Sequence, residues 1–224
     1  MTMAFKTRIL MTEFVTHSVK RFVLRKPKGF RFIPGQGALV AINRPGWKDQ
    51  PHPFTPTSLN KDLALEFTIK GYPGRRGLTA RLHKLAPGDE LLIGQVFGDI
   101  RYKGPGVFIA AGAGITPFIA ILRRLRRDGK LAGNRLIFSN RKWDDIIYER
   151  ELRDCLGDRC IFTLTREKRP GYESRRVDKA FLRETIRDFK QHFYVCGPAG
   201  FVNGVRRSLE ELGAQPEKII LDEP

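Results

Sequence analysis

Residues Val107 to Leu122 constrain the fold of this chain more than any other segment. Val107 to Ala111 is a continuous apolar run, the pattern of a strand buried on both faces. Gly112 and Gly114 follow at once, where the backbone can turn sharply and approach a ligand without a Cβ in the way. Pro117 suits the first turn of a helix, and Ile119, Ile121, Leu122 and Leu125 continue that helix. A helix that starts just past a strand end offers its N–H groups to a phosphate. The segment is not a GxGxxG, and a purely structural glycine turn reads the same way, so by itself it marks only a nucleotide-type α/β turn.

The rest of the chain splits around Lys103-Gly-Pro-Gly106. Before it, short apolar runs (Ala38–Ile42, Leu65–Ile69, Leu91–Ile93) are separated by Gly and Pro, as in a small antiparallel barrel. A helix is expected over roughly Leu78 to Leu85. After the split, strands at Val107–Ala111, Arg135–Ser139, Ile161–Thr165, Phe193–Cys196 and Ile219–Leu221 alternate with helices. Those helices are expected at Pro117–Arg127, Ile147–Leu156, Asp178–Asp188 and Phe201–Leu212. Such alternation implies a parallel sheet with helices on both faces and ligands at the carboxyl ends of its strands. The expected architecture is therefore a β-barrel domain over 1–103 and a Rossmann-like α/β domain over 104–224.

Composition excludes several classes. With 41% hydrophobic residues in 224, the chain can bury a core, and no apolar run is long enough to span a bilayer. The first ten residues lack a secretory signal pattern, so a cytoplasmic location is expected. Three cysteines (Cys155, Cys160, Cys196) form no CxxC and are too few for a cluster, and the four histidines show no metal-ligand spacing. The net charge of +17 comes from 41 Lys+Arg against 24 Asp+Glu, in basic pairs scattered along the chain. No nucleic-acid module is visible, so the charge is read as a field that attracts phosphorylated cofactors or an acidic protein.

Three segments in order, His52 to Ser58, Gly112 to Pro117 and Phe193 to Gly200, resemble the ferredoxin–NADP(H) reductase superfamily of flavoproteins over nearly the whole chain. The resemblance implies a flavin site at His52, Pro53, Phe54, Thr55 and Ser58. Phe54 would stack on the flavin ring and the Thr55 hydroxyl would face flavin N5. His52 departs from the family's arginine, which clamps the flavin phosphate, and histidine lacks that bidentate fork. FAD is expected, with FMN as the alternative. Gly77, Leu78 and Thr79 resemble the helix start that receives the flavin phosphate. Thr79 is expected to cap that helix, and Arg75 and Arg76 to supply the charge that His52 lacks. Lys70 is assigned to cofactor binding as well.

Gly112, Gly114, Thr116 and Pro117 resemble the nicotinamide-cofactor turn, and Cys196, Gly197 and Pro198 the second turn, with Cys196 near the hydride path. Thr165 and Arg166, with Tyr172 and Arg176, resemble an NADP-selective pattern, Tyr172 stacking on adenine and Arg176 pairing with phosphate. NADP(H) is expected and NAD(H) is the alternative, because Glu167 is acidic.

The resulting expectation is a monomeric oxidoreductase. It takes hydride from NADPH and passes electrons to an external acidic carrier such as flavodoxin or ferredoxin. A stand-alone flavin or quinone reductase and a non-catalytic cofactor-binding subunit are the alternatives.

Overall fold

The computed structural model describes residues 5–72, 74 and 76–221. Six strands build the first half: β1 (Phe5–Thr16), β2 (Val19–Arg25), β3 (Gly37–Ile42), β4 (His52–Phe54), β5 (Ala64–Lys70) and β6 (Glu90–Phe97). Their order in the sheet is β4-β3-β6-β1-β2-β5, and all neighbours run antiparallel. Pro56, just past β4, bridges Phe67 on β5, and the Thr57 N–H donates to the Glu66 carbonyl at 2.8 Å. These contacts close the sheet into a barrel, which removes its edges. Alternation does the packing. Leu65, Phe67 and Ile69 on β5 point inward, with Phe22, Leu24, Val40, Ile42, Leu91 and Ile93 among their core neighbours.

The expected helix after Gly77 is shorter than the leucine spacing suggests. It runs Leu78–Leu82 (α1), after which the Lys84 and Leu85 N–H groups bond three residues back as tight turns. Pro87 follows and cannot continue a helix. Leu85 stays buried all the same. Gly77, not Thr79, is the N-cap, and no side chain caps this helix. Thr79 is already inside the first turn, where its carbonyl accepts from the His83 N–H.

The second half carries five parallel strands, β7 (Gly106–Ala111), β8 (Arg135–Asn140), β9 (Cys160–Leu164), β10 (His192–Cys196) and β11 (Ile219–Leu221). Helices α2 (Thr116–Arg127), α3 (Glu149–Leu156), α4 (Lys179–Thr185) and α5 (Ala199–Glu211) connect them. The two faces of the sheet have separate cores: Phe108, Phe138 and Tyr194 pack with α2 and α3, and Ile109, Ile137 and Val195 pack with α4 and α5. Asp178 caps α4 by accepting from the Phe181 N–H at 2.9 Å. Strand order is β11-β10-β7-β8-β9. The chain thus starts at β7, builds outward to β9, then returns to lay β10 on the other side of β7. The switch point lies between β7 and β10, where a crevice opens at the carboxyl ends of the strands.

Candidate active site

Both glycine turns sit at this switch point. After β7, Gly112 adopts φ +53° and opens a short 3₁₀ turn over Gly112–Ile115, which runs straight into α2. Gly114 carries no side chain for a plain reason: a Cβ there would collide with the carbonyl oxygen of Cys196 at the end of β10. A Cβ on Gly197 would stand 3.0 Å from that of Ala111. The two turns pack backbone against backbone. The Thr116 hydroxyl donates to the Ala113 carbonyl at 3.0 Å and tightens the first turn. No acidic residue occupies the first turn of α2, so its N–H groups face an approaching anion unopposed.

A cleft of about 810 Å³ lies over these turns. Gly112, Gly114, Gly197, Pro198 and Thr165 line it, together with Asn140 and Arg141 from the end of β8 and Lys70 and Tyr72 from the barrel. Its volume is that of an ordinary ligand site. A second cleft of about 260 Å³ adjoins it, lined by Pro53, Phe54, Thr55, Lys70 and Thr79 from the barrel and by Thr116, Pro117 and Cys196 from the α/β half. Lys70, Tyr72 and Ala113 line both clefts, which places the two side by side. The smaller one mixes apolar faces (Phe54, Ile69, Phe97) with hydroxyls (Thr55, Thr68, Thr79) and one ammonium (Lys70). That donor set fits an amphipathic ring system such as a flavin. Bare glycine backbone and a helix start at the larger cleft fit a pyrophosphate.

A third cleft of about 360 Å³ continues past Thr165 and Ser139, where Arg141, Arg166 and Arg176 converge. Three exposed guanidinium groups around one hollow suit a phosphate. Tyr172 lines a different cleft, beside Trp143 and Arg150. Its hydroxyl donates to Glu149 at 2.5 Å and its ring lies 5.3 Å from the Arg153 guanidinium. Tyr172 and Arg176 therefore line different clefts.

Most of the site residues read from the sequence converge on these clefts; Ser58, His52, Leu78 and Gly77 stand apart, as Tyr172 does. Ser58 is buried, and its hydroxyl accepts the Glu66 N–H at 2.9 Å rather than lining the smaller cleft. His52 is exposed and donates from Nδ1 to the Gln50 carbonyl at 3.3 Å. Leu78 is buried in the barrel core, and Gly77 is the half-buried cap before it. Arg75 lies outside the described residues, and Arg76 is exposed. Arg141, Tyr72 and Phe97 were missed. Arg141 had a signal, a cation directly after the β8 strand end. Tyr72 and Phe97 had none, because only the closed barrel brings the ends of β5 and β6 together.

Cys155 and Cys160 are buried, and burial pushes the Cys160 thiol up to about 12. Neither is a reactive thiolate at neutral pH.

Known proteins agree with this layout. Residues 108–207 match the family described as the oxidoreductase NAD-binding domain. The ferredoxin–NAD(P)(+) reductase component of the naphthalene 1,2-dioxygenase system of Pseudomonas putida is 23% identical over 97% of this chain. The reductase component of propane 2-monooxygenase of Rhodococcus jostii is 25% identical over 97%. The chain spans 68% and 62% of those two proteins. Among solved structures, the flavohem-like FAD/NAD binding domain of nitric oxide dioxygenase from Vibrio cholerae superposes with a TM-score of 0.86 at 22% identity, covering 97% of both chains.

The chain has the fold of the ferredoxin–NADP(H) reductase-like flavoproteins, and its residues 108–207 match the oxidoreductase NAD-binding domain family. Its antiparallel barrel and parallel five-stranded sheet are the two halves of that fold. The family match places an oxidoreductase-type NAD-binding domain in the α/β half. Among the described residues, no helix is long and apolar enough to cross a membrane.

Proposed function

We propose that the chain is an NADPH-dependent reductase that holds FAD in the smaller cleft, binds the dinucleotide in the larger one, and passes electrons to an acidic carrier protein. The observation that carries this reading is the shared wall of the two clefts at Lys70, Tyr72 and Ala113. Phe54, Thr55 and Lys70 would hold a flavin there, and the flavin would supply hydride acceptance and onward electron release. The chain's own groups do the placing. Phe54 and Phe97 offer apolar faces, the Thr55 hydroxyl would offer a donor or acceptor to the flavin, and Cys196 lines the same cleft from the α/β half. The Gly112–Ile115 turn and the start of α2 would hold the pyrophosphate.

Arg141, Arg166 and Arg176 support a preference for the 2′-phosphate of NADPH. The net charge of +17 supports an acidic partner such as ferredoxin or flavodoxin, drawn in by long-range attraction. The relatives' names, reductase components of oxygenase systems, support an electron-transfer role of this kind.

The direct test is the visible spectrum of the purified protein during anaerobic addition of NADPH or NADH. Flavin bands that bleach faster with NADPH are the expected result, and extraction of the pigment should yield FAD. A protein that takes up no flavin on reconstitution rejects the reading.

A further inference from the structure

We propose that Arg123 is a positioning residue that sets how the dinucleotide cleft faces the flavin cleft; the functional part of this inference rests on the reductase reading above. Arg123 sits in the middle of α2, the helix whose first residues, Thr116 and Pro117, line the smaller cleft. Its guanidinium reaches out of the α/β half and onto the barrel. Nη1 donates to the Thr57 carbonyl at 2.8 Å and to Glu66 Oε1 at 2.6 Å. Nε and Nη2 grip both oxygens of Glu151 on α3, at 2.6 and 2.8 Å. One planar group thereby ties α2 and α3 to β5 and to the segment two residues beyond Thr55.

The surroundings are built around this contact. The Glu66 carboxylate is 7% exposed, and it also accepts from the Thr57 hydroxyl at 2.7 Å and from Arg21 Nε at 2.6 Å. The Tyr148 ring lies 5.2 Å from the Arg123 guanidinium, and the Tyr148 hydroxyl is 3.1 Å from that of Thr68, which lines the smaller cleft. Tyr148 holds φ +53°, the one non-glycine residue with positive φ among the described residues. A bulky side chain pays a penalty in that region, and such strain collects where geometry is held for a purpose.

Stability alone is a weak reason for this arrangement. A buried ion pair is often replaceable by apolar groups of similar volume without loss of stability, and its best-attested use is to specify one geometry. The apolar part of the same boundary, where Val19 and Ile100 join the core beneath α2, is non-directional. The forked hydrogen bonds supply direction. Among the described residues, the other carboxylate contacts across the boundary, Arg127 to Asp62 at 3.9 Å and His17 to Asp145 at 3.7 Å, are longer and more exposed.

The test uses the purified full chain with its flavin, in three forms: wild type, Arg123→Lys, and the paired Arg123→Met with Glu66→Gln, which removes both charges of the pair together. In rapid mixing with NADPH, the limiting rate of flavin reduction should fall by roughly 10- to 100-fold in the pair, since an ångström of misplacement is worth about that much. Arg123→Lys, which keeps charge but not the fork, should fall between. The dissociation constants of flavin and NADP⁺ should hold near wild type, a split that simple loosening of the fold would not produce. Independently of any cofactor chemistry, residual dipolar couplings should report a changed angle between the barrel and the parallel sheet. Wild-type limiting rates in both variants overturn the positioning role in catalysis. Unchanged couplings in both overturn the proposal, including when wild type itself is not reduced by NADPH, a result that rejects the reductase reading separately. If the pair fails to fold, Glu151→Gln, which weakens the other side of the grip at a more exposed carboxylate, carries the same readouts.

Discussion

Gly114 is the position where one added methyl group does the most damage at the site. Its missing Cβ is what lets the turn after β7 lie against the Cys196 carbonyl. Gly114→Ala must separate the two turns, and a forced shift in a packed backbone costs about 1–3 kcal/mol. Urea unfolding of Gly114→Ala should show that loss, with weaker NADP⁺ binding by calorimetry; a wild-type midpoint would reject the packing argument. The three arginines of the outer hollow act differently, since they are exposed and carry no fold. Arg166→Ala removes one charge-assisted bond to a phosphate, worth about 1.5–3 kcal/mol. KM for NADPH should therefore rise by roughly 10- to 100-fold with little change for NADH. Equal effects on the two cofactors would count against a 2′-phosphate role.

At the scale of elements, Tyr194 anchors the link between the two halves. Tyr194 on β10 is fully buried, stacked on Phe108 at 4.5 Å and on Tyr102 at 5.9 Å. Its hydroxyl accepts from the N–H groups of Lys103 (2.9 Å) and Gly104 (3.0 Å) and donates to the Gly104 carbonyl (2.8 Å). Tyr194→Phe strands those backbone groups and should cost about 1–3 kcal/mol. Hydrogen exchange should then accelerate at Lys103 and Gly104 before it does in β7. Uniform exchange across both would show that the hydroxyl does not secure the link. Helix ends were the least legible elements. The expected start at Ile147 falls instead at Glu149, because Tyr148 turns left-handed to serve the boundary between the halves. That demand is tertiary and leaves no local mark.

Across the whole molecule, the boundary charges link stability to pH. Burial pushes the Glu66 carboxyl upward, but the Arg123 guanidinium, the Thr57 hydroxyl and Arg21 outweigh it and hold the group below its ordinary value of 4.5. A carboxyl depressed in the folded state stabilises the fold above that ordinary value. The contribution is lost as pH falls below 4.5 and through the folded value. Acid unfolding of wild type should therefore steepen below about pH 4.5, and Glu66→Gln should flatten it; identical profiles would show that the network is not the acid-sensitive part. The same basic surface should make carrier reduction fall with added salt, since the Debye length shrinks from about 30 Å at 0.01 M to 3 Å at 1 M. A salt-independent rate would remove the electrostatic argument for an acidic partner.

The barrel-then-parallel-sheet architecture and the switch-point turns are legible along the chain alone. Strand and helix periodicity, a buried apolar run before Gly112 and a proline at a helix start are local properties, and locality is what a single chain can display. Motifs alone marked Phe54, Thr55, Thr116 and Cys196, and the fold brings these four into one cleft. Which residues meet is settled by the packing of distant segments. Glu66 and Thr68 alternate with the core residues of β5, yet both are buried, because Arg123 of α2 and Tyr148 before α3 cover that face. Ser58 reads as a ligand group and instead satisfies a backbone N–H. Burial of an outward strand face depends on what packs against it from a distant part of the chain, and no periodicity within the strand records that.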